Sequence, residues 1–318
     1  MKNKTKLYKR SLQLMLIVLL AGIASCQSNS KSNQESASAD TLIIEHKLGK
    51  TSISSNPSKT VTLDIGALET MNELGVKPIG IPKKFLPAYL STLKSDDQIA
   101  DVGSVIEPDF EAISALNPDL ILISTRQERF YNELSEIAPT IFIGTDNKNY
   151  IPSLEKNIQT IGRIFSKEKE AQEKLGSIKS KMQEAQSKYD QDPNKALFLI
   201  YNNGKFSAFG KGSRFGFIHD VMHIKPVMDL KDESVHGQRV SNELIAQANP
   251  DYLFIVDRNA AVMGKVANRE DMENALIKQT KAYKTGKIFY LDPEVWFISG
   301  GGLTSVNLML DDILNLIK

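Results

Sequence analysis

The sequence predicts an α/β fold of two similar lobes with mostly parallel sheets, joined by a single long helix. Three observations carry this. The segments Glu111 to Arg126 and Glu243 to Arg258 share a Glu, an Asn-Pro-Asp, an apolar run and a terminal Arg at equal offsets, 132 residues apart. A repeat of that length is too long for a solenoid unit and suits a domain. Strand-like and helix-like stretches alternate on either side, and residues 152–189 between the copies contain no strong breaker.

Each element has a local reason. Thr41 to His46 and Lys50 to Ser54 alternate as a hairpin, and Val61 to Asp64 reads as the first core strand. Asp64 to Gly75 places Leu68, Met71 and Leu74 on one helical face, with Gly75 as the stop. Pro78 to Pro82 is a short strand. In each repeat copy a helix meets a Pro, which cannot continue it, and an unalternating apolar run follows: Leu120 to Ile123, then Leu253 to Val256. Such runs suit parallel strands covered on both faces. Phe130 to Ala138 is helical and Thr140 to Gly144 extended. Leu154, Ile158, Ile161, Phe165, Leu175, Ile178 and Met182 recur at three and four, the pattern of one long helix with a bend near Ser166. After Asp192-Pro193 come strands at Ala196 to Tyr201 and Ile288 to Leu291, then an amphipathic helix from Thr304 to Ile317. One helix packed on both lobes resists opening, so the cleft between them is expected to close only slightly on a ligand.

The amino terminus is set apart from this fold. Lys2, Lys4, Lys6, Lys9 and Arg10 precede an apolar stretch, Leu12 to Ile23, too short to span a bilayer. It ends at Ile23-Ala24-Ser25-Cys26, which resembles a bacterial lipobox, where cleavage before the Cys leaves its thiol lipidated. Cys26 is the only cysteine, so a lipidated thiol leaves no disulfide. The expected organisation is a lipoprotein signal peptide over 1–25, a flexible tether over 26–40, an N-terminal lobe over 41–150, an interlobe helix over 151–190 and a C-terminal lobe over 191–318. The mature protein is expected outside the cytoplasmic membrane, held there by its lipid.

At 318 residues, 41% hydrophobic and 24% charged, the composition is that of a folded soluble body. A net charge of +1 gives no footing for nucleic acid as a partner. Any bound anion must be held by local geometry. Arg126 and Arg258 supply it, because each falls past the carboxyl end of its strand, the edge at which open α/β sheets bind ligands. Two lobes with a cation at that rim frame a cleft for an anion.

Together Thr62-Leu-Asp-Ile-Gly-Ala-Leu-Glu69, Gly80-Ile-Pro82, Pro108-Asp-Phe-Glu111-Ala-Ile, the paired Asn-Pro-Asp elements and Val235-His236-Gly237-Gln238, in this order behind a lipobox, resemble the siderophore-binding lipoproteins that feed iron-complex ABC importers. The resemblance covers the whole mature chain, nearest to the branch that takes catecholate and mixed catecholate-citrate siderophores. It implies two Rossmann-like lobes joined by one helix. Arg126, Arg258 and Arg214, the last within Gly212-Ser-Arg-Phe-Gly216, match the family's cleft arginines, which hydrogen-bond catecholate oxygens around ferric iron. His236 matches a histidine that reaches the metal when a tetradentate siderophore leaves positions open. The branch's tyrosine before the last helix is replaced here by Phe297, which has no oxygen to donate, so a hexadentate complex is the expectation. Glu111 and Glu243 match the acids, one per lobe, that dock on the permease dimer. Phe209, Phe215, Trp296 and Phe297 are candidates for aromatic walls. No cofactor of its own and a monomeric state are implied.

Other classes have less support. No Gly-x-Ser-x-Gly elbow, His-Glu-x-x-His or phosphate loop occurs, so no enzyme is indicated. Zinc or manganese binding wants several converging His or carboxylates, and the chain has four histidines, of which His219 and His223 are spaced as a helical pair. Haem and cobalamin remain alternatives within the same fold. Arg129 and Arg239 compete with the three arginines by sequence position alone.

Overall fold

The computed structural model describes residues 41–84, 86–230 and 237–317. Cys26, the signal segment, the tether and His236 lie outside the described residues. Residues 41 to 318 form one compact unit. Among the described residues no helix is long and apolar enough to cross a membrane.

The hairpin is β1 (Thr41–His46) against β2 (Gly49–Ser54), antiparallel with Thr41 opposite Ser54. It buries Ile44 and Ile53 and is tied to the first lobe by Thr51 Oγ1, which donates to the Thr140 carbonyl at 2.9 Å. The first lobe holds β3 (Thr60–Thr62), β4 (Gly80–Ile81), β5 (Ala100–Asp101), β6 (Leu120–Ile123) and β7 (Thr140–Phe142). They form a wholly parallel sheet in the order β5-β4-β3-β6-β7. All four residues of β6 are buried, as its unalternating apolar run required.

The second lobe holds β8 (Lys195–Asn202), β9 (Lys205–Phe209), β10 (Lys225–Pro226), β11 (Gln238–Val240), β12 (Tyr252–Asp257) and β13 (Ile288–Tyr290). The sheet order is β11-β9-β8-β12-β13, with β10 beside the start of β8. Pairs β8–β12, β12–β13 and β8–β10 are parallel, whereas β8–β9 and β9–β11 are antiparallel. The β8–β9 turn is Asn203-Gly204, both at positive φ (49° and 78°), the backbone a two-residue hairpin needs.

The repeat is structural as well as sequential. Asn117 and Asn249 both take the left-handed conformation, at φ 46° and 47°, and end their helices there. Asp119 then accepts from the amides of Ser58 and Lys59 ahead of β3, and Asp251 accepts from Lys195 at the start of β8. In each lobe the Asp therefore pins the neighbouring central strand in register.

The interlobe connection departs from the single helix expected over 151–190. Two helices are present, Tyr150–Ile164 and Glu168–Asp190, broken at Ser166, whose φ is 52°. The break is enforced from a distance. The Asn56 amide donates to the Ile164 carbonyl and its Nδ2 to Ser166 Oγ, both at 2.9 Å, which turns the bend expected near Ser166 into a full break. The second helix is tied to both lobes. Near its start Lys174 pairs with Glu73 at 2.7 Å, and at its end Tyr189 Oη donates to the Ile313 carbonyl at 3.1 Å. One apolar core, from Ile158 and Leu175 through Phe198 to Phe254, continues beneath both lobes.

Candidate functional site

Arg126 follows β6 by three residues, and its loop is stapled by Gln127. The Ser124 amide donates to Gln127 Oε1 at 3.0 Å, and Gln127 Nε2 donates to the Val105 carbonyl. Beside it Asp64 caps the Ile65–Glu73 helix through the Ala67 amide at 2.7 Å. Burial raises the Asp64 carboxyl, opposed by Ser124, the Ala67 amide and the Arg126 charge. Burial lowers the Arg126 guanidinium, opposed in turn by Asp64.

Arg258 opens the helix Arg258–Met263, where Asp257 accepts from the amides of Asn259 and Ala260. Arg214 rides on a tight glycine loop. Gly212 has φ 68° and donates its amide to Asp220 at 2.7 Å, and a Cβ on Gly216 would lie 2.3 Å from that carboxylate.

All three guanidinium groups converge on Phe297. Its carbonyl accepts from Arg126 Nη2 at 3.0 Å and from Arg214 Nη2 at 2.8 Å, while Arg126 Nη1 reaches the Ile298 carbonyl at 3.0 Å. Its ring lies 4.8 Å from the Arg214 guanidinium carbon and 5.8 Å from that of Arg258. The segment Glu294–Ile298 is a turn of π-helix, an irregularity common at functional sites. Arg214 keeps an exposed edge, yet the protein packed around it, and then the charges of Arg126 and Arg258, push its guanidinium down to about 9. At neutral pH it stays protonated. Among the described residues none of the three arginines is in an ion pair, and the only acid set against them is Asp64, beside Arg126.

A cavity of about 370 Å³ opens beside this cluster, lined by Asp64, Arg126, Tyr150, Arg214, Phe215 and Trp296 among others. Arg258 and Phe297 are half-buried and do not line it. Phe215 stacks between Phe198 and Phe297, at 5.5 and 5.8 Å. Phe209 packs edge-on behind Phe215 at 4.7 Å and supports the wall without lining it. Trp296 is 2% exposed and donates its indole N–H to Asp312 at 3.0 Å, so it backs the cavity from the core. Arg129 turns away to the Ile106 carbonyl. His219 is buried on the Ile224 carbonyl and pushed down to about 4 by burial, while His223 lies beyond its helix against Asp190, so the two are not a facing pair.

One buried network is invisible to sequence reasoning. Glu69, on the first lobe's helix, is fully buried and accepts from Tyr89 Oη at 2.6 Å, from Ser299 Oγ, and from the Ser305 amide at 2.7 Å. Burial pushes its carboxyl up to about 7 against these donors. Gly66 and Gly302 let the helix and the Ser299–Gly302 loop meet, since a Cβ on either would lie within 2.6 Å of the other's backbone segment. Tyr150 Oη ties the Gly300 carbonyl at 2.6 Å. The Gly300-Gly301-Gly302 run was the one available hint of such close approach.

Glu111 and Glu243 are exposed in the first turns of helices Phe110–Ala115 and Asn242–Ala248, capped by Asp109 and Ser241. Each helix ends where Asp119 or Asp251 holds the amino edge of the sheet. Both helices therefore start toward the opposite edge, the one that carries the arginines.

Residues 61–295 match the family described as "Periplasmic binding protein". The chain is 40% identical to the petrobactin-binding protein YclQ of Bacillus subtilis (strain 168), over 96% of this chain and 98% of that one. It is 36% identical to the ferric-anguibactin-binding protein FatB of Vibrio anguillarum, over 97% and 98%. The crystal structure of the periplasmic catecholate-siderophore binding protein VctP from Vibrio cholerae aligns with a TM-score of 0.82 at 33% identity, covering 87% of this chain and all of that one. The cleft, its arginines and these likenesses agree: the chain belongs to the periplasmic binding protein family, in its two-lobed form.

Proposed function

We propose that this protein is an extracytoplasmic receptor, anchored by a lipid on Cys26, that binds a ferric catecholate-type siderophore between its lobes and hands it to an ABC permease dimer through Glu111 and Glu243. It acts as a monomer, without a catalytic step or a cofactor of its own. The observation that carries this reading is the meeting of Arg126, Arg214 and Arg258 on Phe297, with none of the three in an ion pair among the described residues and only Asp64 close enough to offset part of the Arg126 charge. A ferric tris-catecholate bears three negative charges on oxygens that accept from guanidinium forks. Charge-assisted hydrogen bonds contribute about 1.5–3 kcal/mol each. Three of them supply a large part of the roughly 12 kcal/mol of nanomolar binding, and Phe215 and Phe297 add apolar contact with catechol rings. The names of the relatives, binders of petrobactin and ferric anguibactin, point to the same ligand class. His236 would reach iron only where a tetradentate siderophore leaves positions open.

The single tryptophan, Trp296, backs the cavity and makes a clean reporter. Its fluorescence is titrated with ferric catecholate, ferric hydroxamate, haem and cobalamin. Tight binding of the catecholate alone is expected; tight binding of a hydroxamate, haem or cobalamin with no catecholate response overturns the ligand class.

A further inference from the structure

We propose that a second groove, on the first lobe, extends the ligand cavity and receives the part of a ferric siderophore that lies away from the iron, an arm with an apolar body and an anionic end. The inference rests on the siderophore reading above and adds a subsite to it. The groove has a volume of about 610 Å³ and runs past the end of β7, between β1 and the Tyr150–Ile164 helix. It shares Thr125, Gly144, Thr145 and Arg214 with the cleft cavity, so the two spaces open into each other. The cleft cavity alone stands near the lower end of the ~300–1,000 Å³ common for ligand sites. An extended chelate needs more room.

The chemistry of the groove selects the occupant. Ile141, Phe142 and Ile143 give it an apolar floor. Its acids have partners of their own: Glu45 pairs with Lys50 at 3.3 Å on the exposed surface, and Asp146 accepts from the Lys148 amide and Asn149 Nδ2. Lys47 is likewise satisfied, by Glu128 at 2.7 Å. His46 accepts from the Leu48 amide at Nδ1 and uses Nε2 on Thr51, and burial together with the Lys156 charge lowers its pKa, so it adds no positive charge. Lys156 remains. It is exposed on the groove wall, and its Nζ has no ion pair or hydrogen bond among the described residues. With Arg214 at the junction, an arm leaving the iron passes from one cation over an apolar floor to another.

The experiment uses two ferric tris-catecholates with the same charge at iron. One is a compact tripodal tris-catecholamide without a further arm; the other is the linear trimer of 2,3-dihydroxybenzoylserine, which ends in a free carboxylate. Lys156→Glu should weaken the linear complex about fivefold, the effect of reversing one partly exposed ion pair. Thr160→Trp, which fills the groove from the same helix, should weaken it about tenfold. The tripodal complex should change by less than about twofold in both variants, as neither touches the three arginines. Equal effects on both complexes, or none on either, overturn the subsite. Failure of the parent protein to bind either complex overturns the siderophore reading instead.

Discussion

Arg126 and Arg214 rise from opposite lobes and donate to one carbonyl oxygen, that of Phe297, at 3.0 and 2.8 Å. That oxygen has two lone pairs and both are used, so the two cations are held side by side despite their repulsion. Each keeps further N–H donors for a guest. The carbonyl thus holds two charges from different lobes at one point.

Replacing Arg126, Arg214 or Arg258 by Ala should each reduce affinity for a ferric tris-catecholate by about 10- to 100-fold, the loss of one charge-assisted contact. Titrations at low and high salt check this. The parent should lose affinity with salt more steeply than any of the three variants.

Phe297→Tyr adds an oxygen where the arginines converge. The variant should bind a ferric bis-catecholate, which leaves two iron positions open, more tightly than the parent, by about tenfold. A new visible band from phenolate bound to iron is the signature; unchanged spectra would mean that residue 297 is out of the metal's reach.

Glu111→Ala with Glu243→Ala should abolish iron uptake in cells while leaving ligand affinity in solution unchanged. Both side chains are exposed and neither lines the cavity. Loss of affinity would instead assign them to the ligand site.

Glu69 makes stability depend on pH. Its carboxyl is raised from 4.5 to about 7, so the folded protein holds a proton there that the unfolded chain has released. Stability from this group is therefore fully present below about 4.5, declines as pH rises, and is lost above about 7, a change of roughly 3 kcal/mol. Urea unfolding of the parent and of Glu69→Gln across this range should show a shallower decline in the variant.

Gly66→Ala should cost about 1–3 kcal/mol, because its Cβ would lie 2.6 Å from the Gly301 backbone where neither segment can give way. Thermal melts measure it, and Gly176→Ala, at a helical position with open space around it, is the neutral or stabilising control.

Much of the fold was legible because its signals are local. The Asn-Pro-Asp repeat announced two lobes, the buried runs at Leu120 and Leu253 announced parallel strands, and the spacing put Arg126 and Arg258 just past the carboxyl ends of those strands.

What the chain by itself determined, then, is periodicity, strand ends and the sign of the charge each lobe brings to the cleft, since these follow from neighbours a few residues apart. Tertiary structure alone decided that the bend near Ser166 becomes a break, held by Asn56 from 110 residues away, and that Glu69 is buried beneath Ser299 and Ser305. It also decided that Phe297 acts through its backbone oxygen as well as its ring. Backbone carbonyls and remote caps carry no mark in a sequence, because every residue has the same peptide group and only the folded chain determines which of them a cation meets.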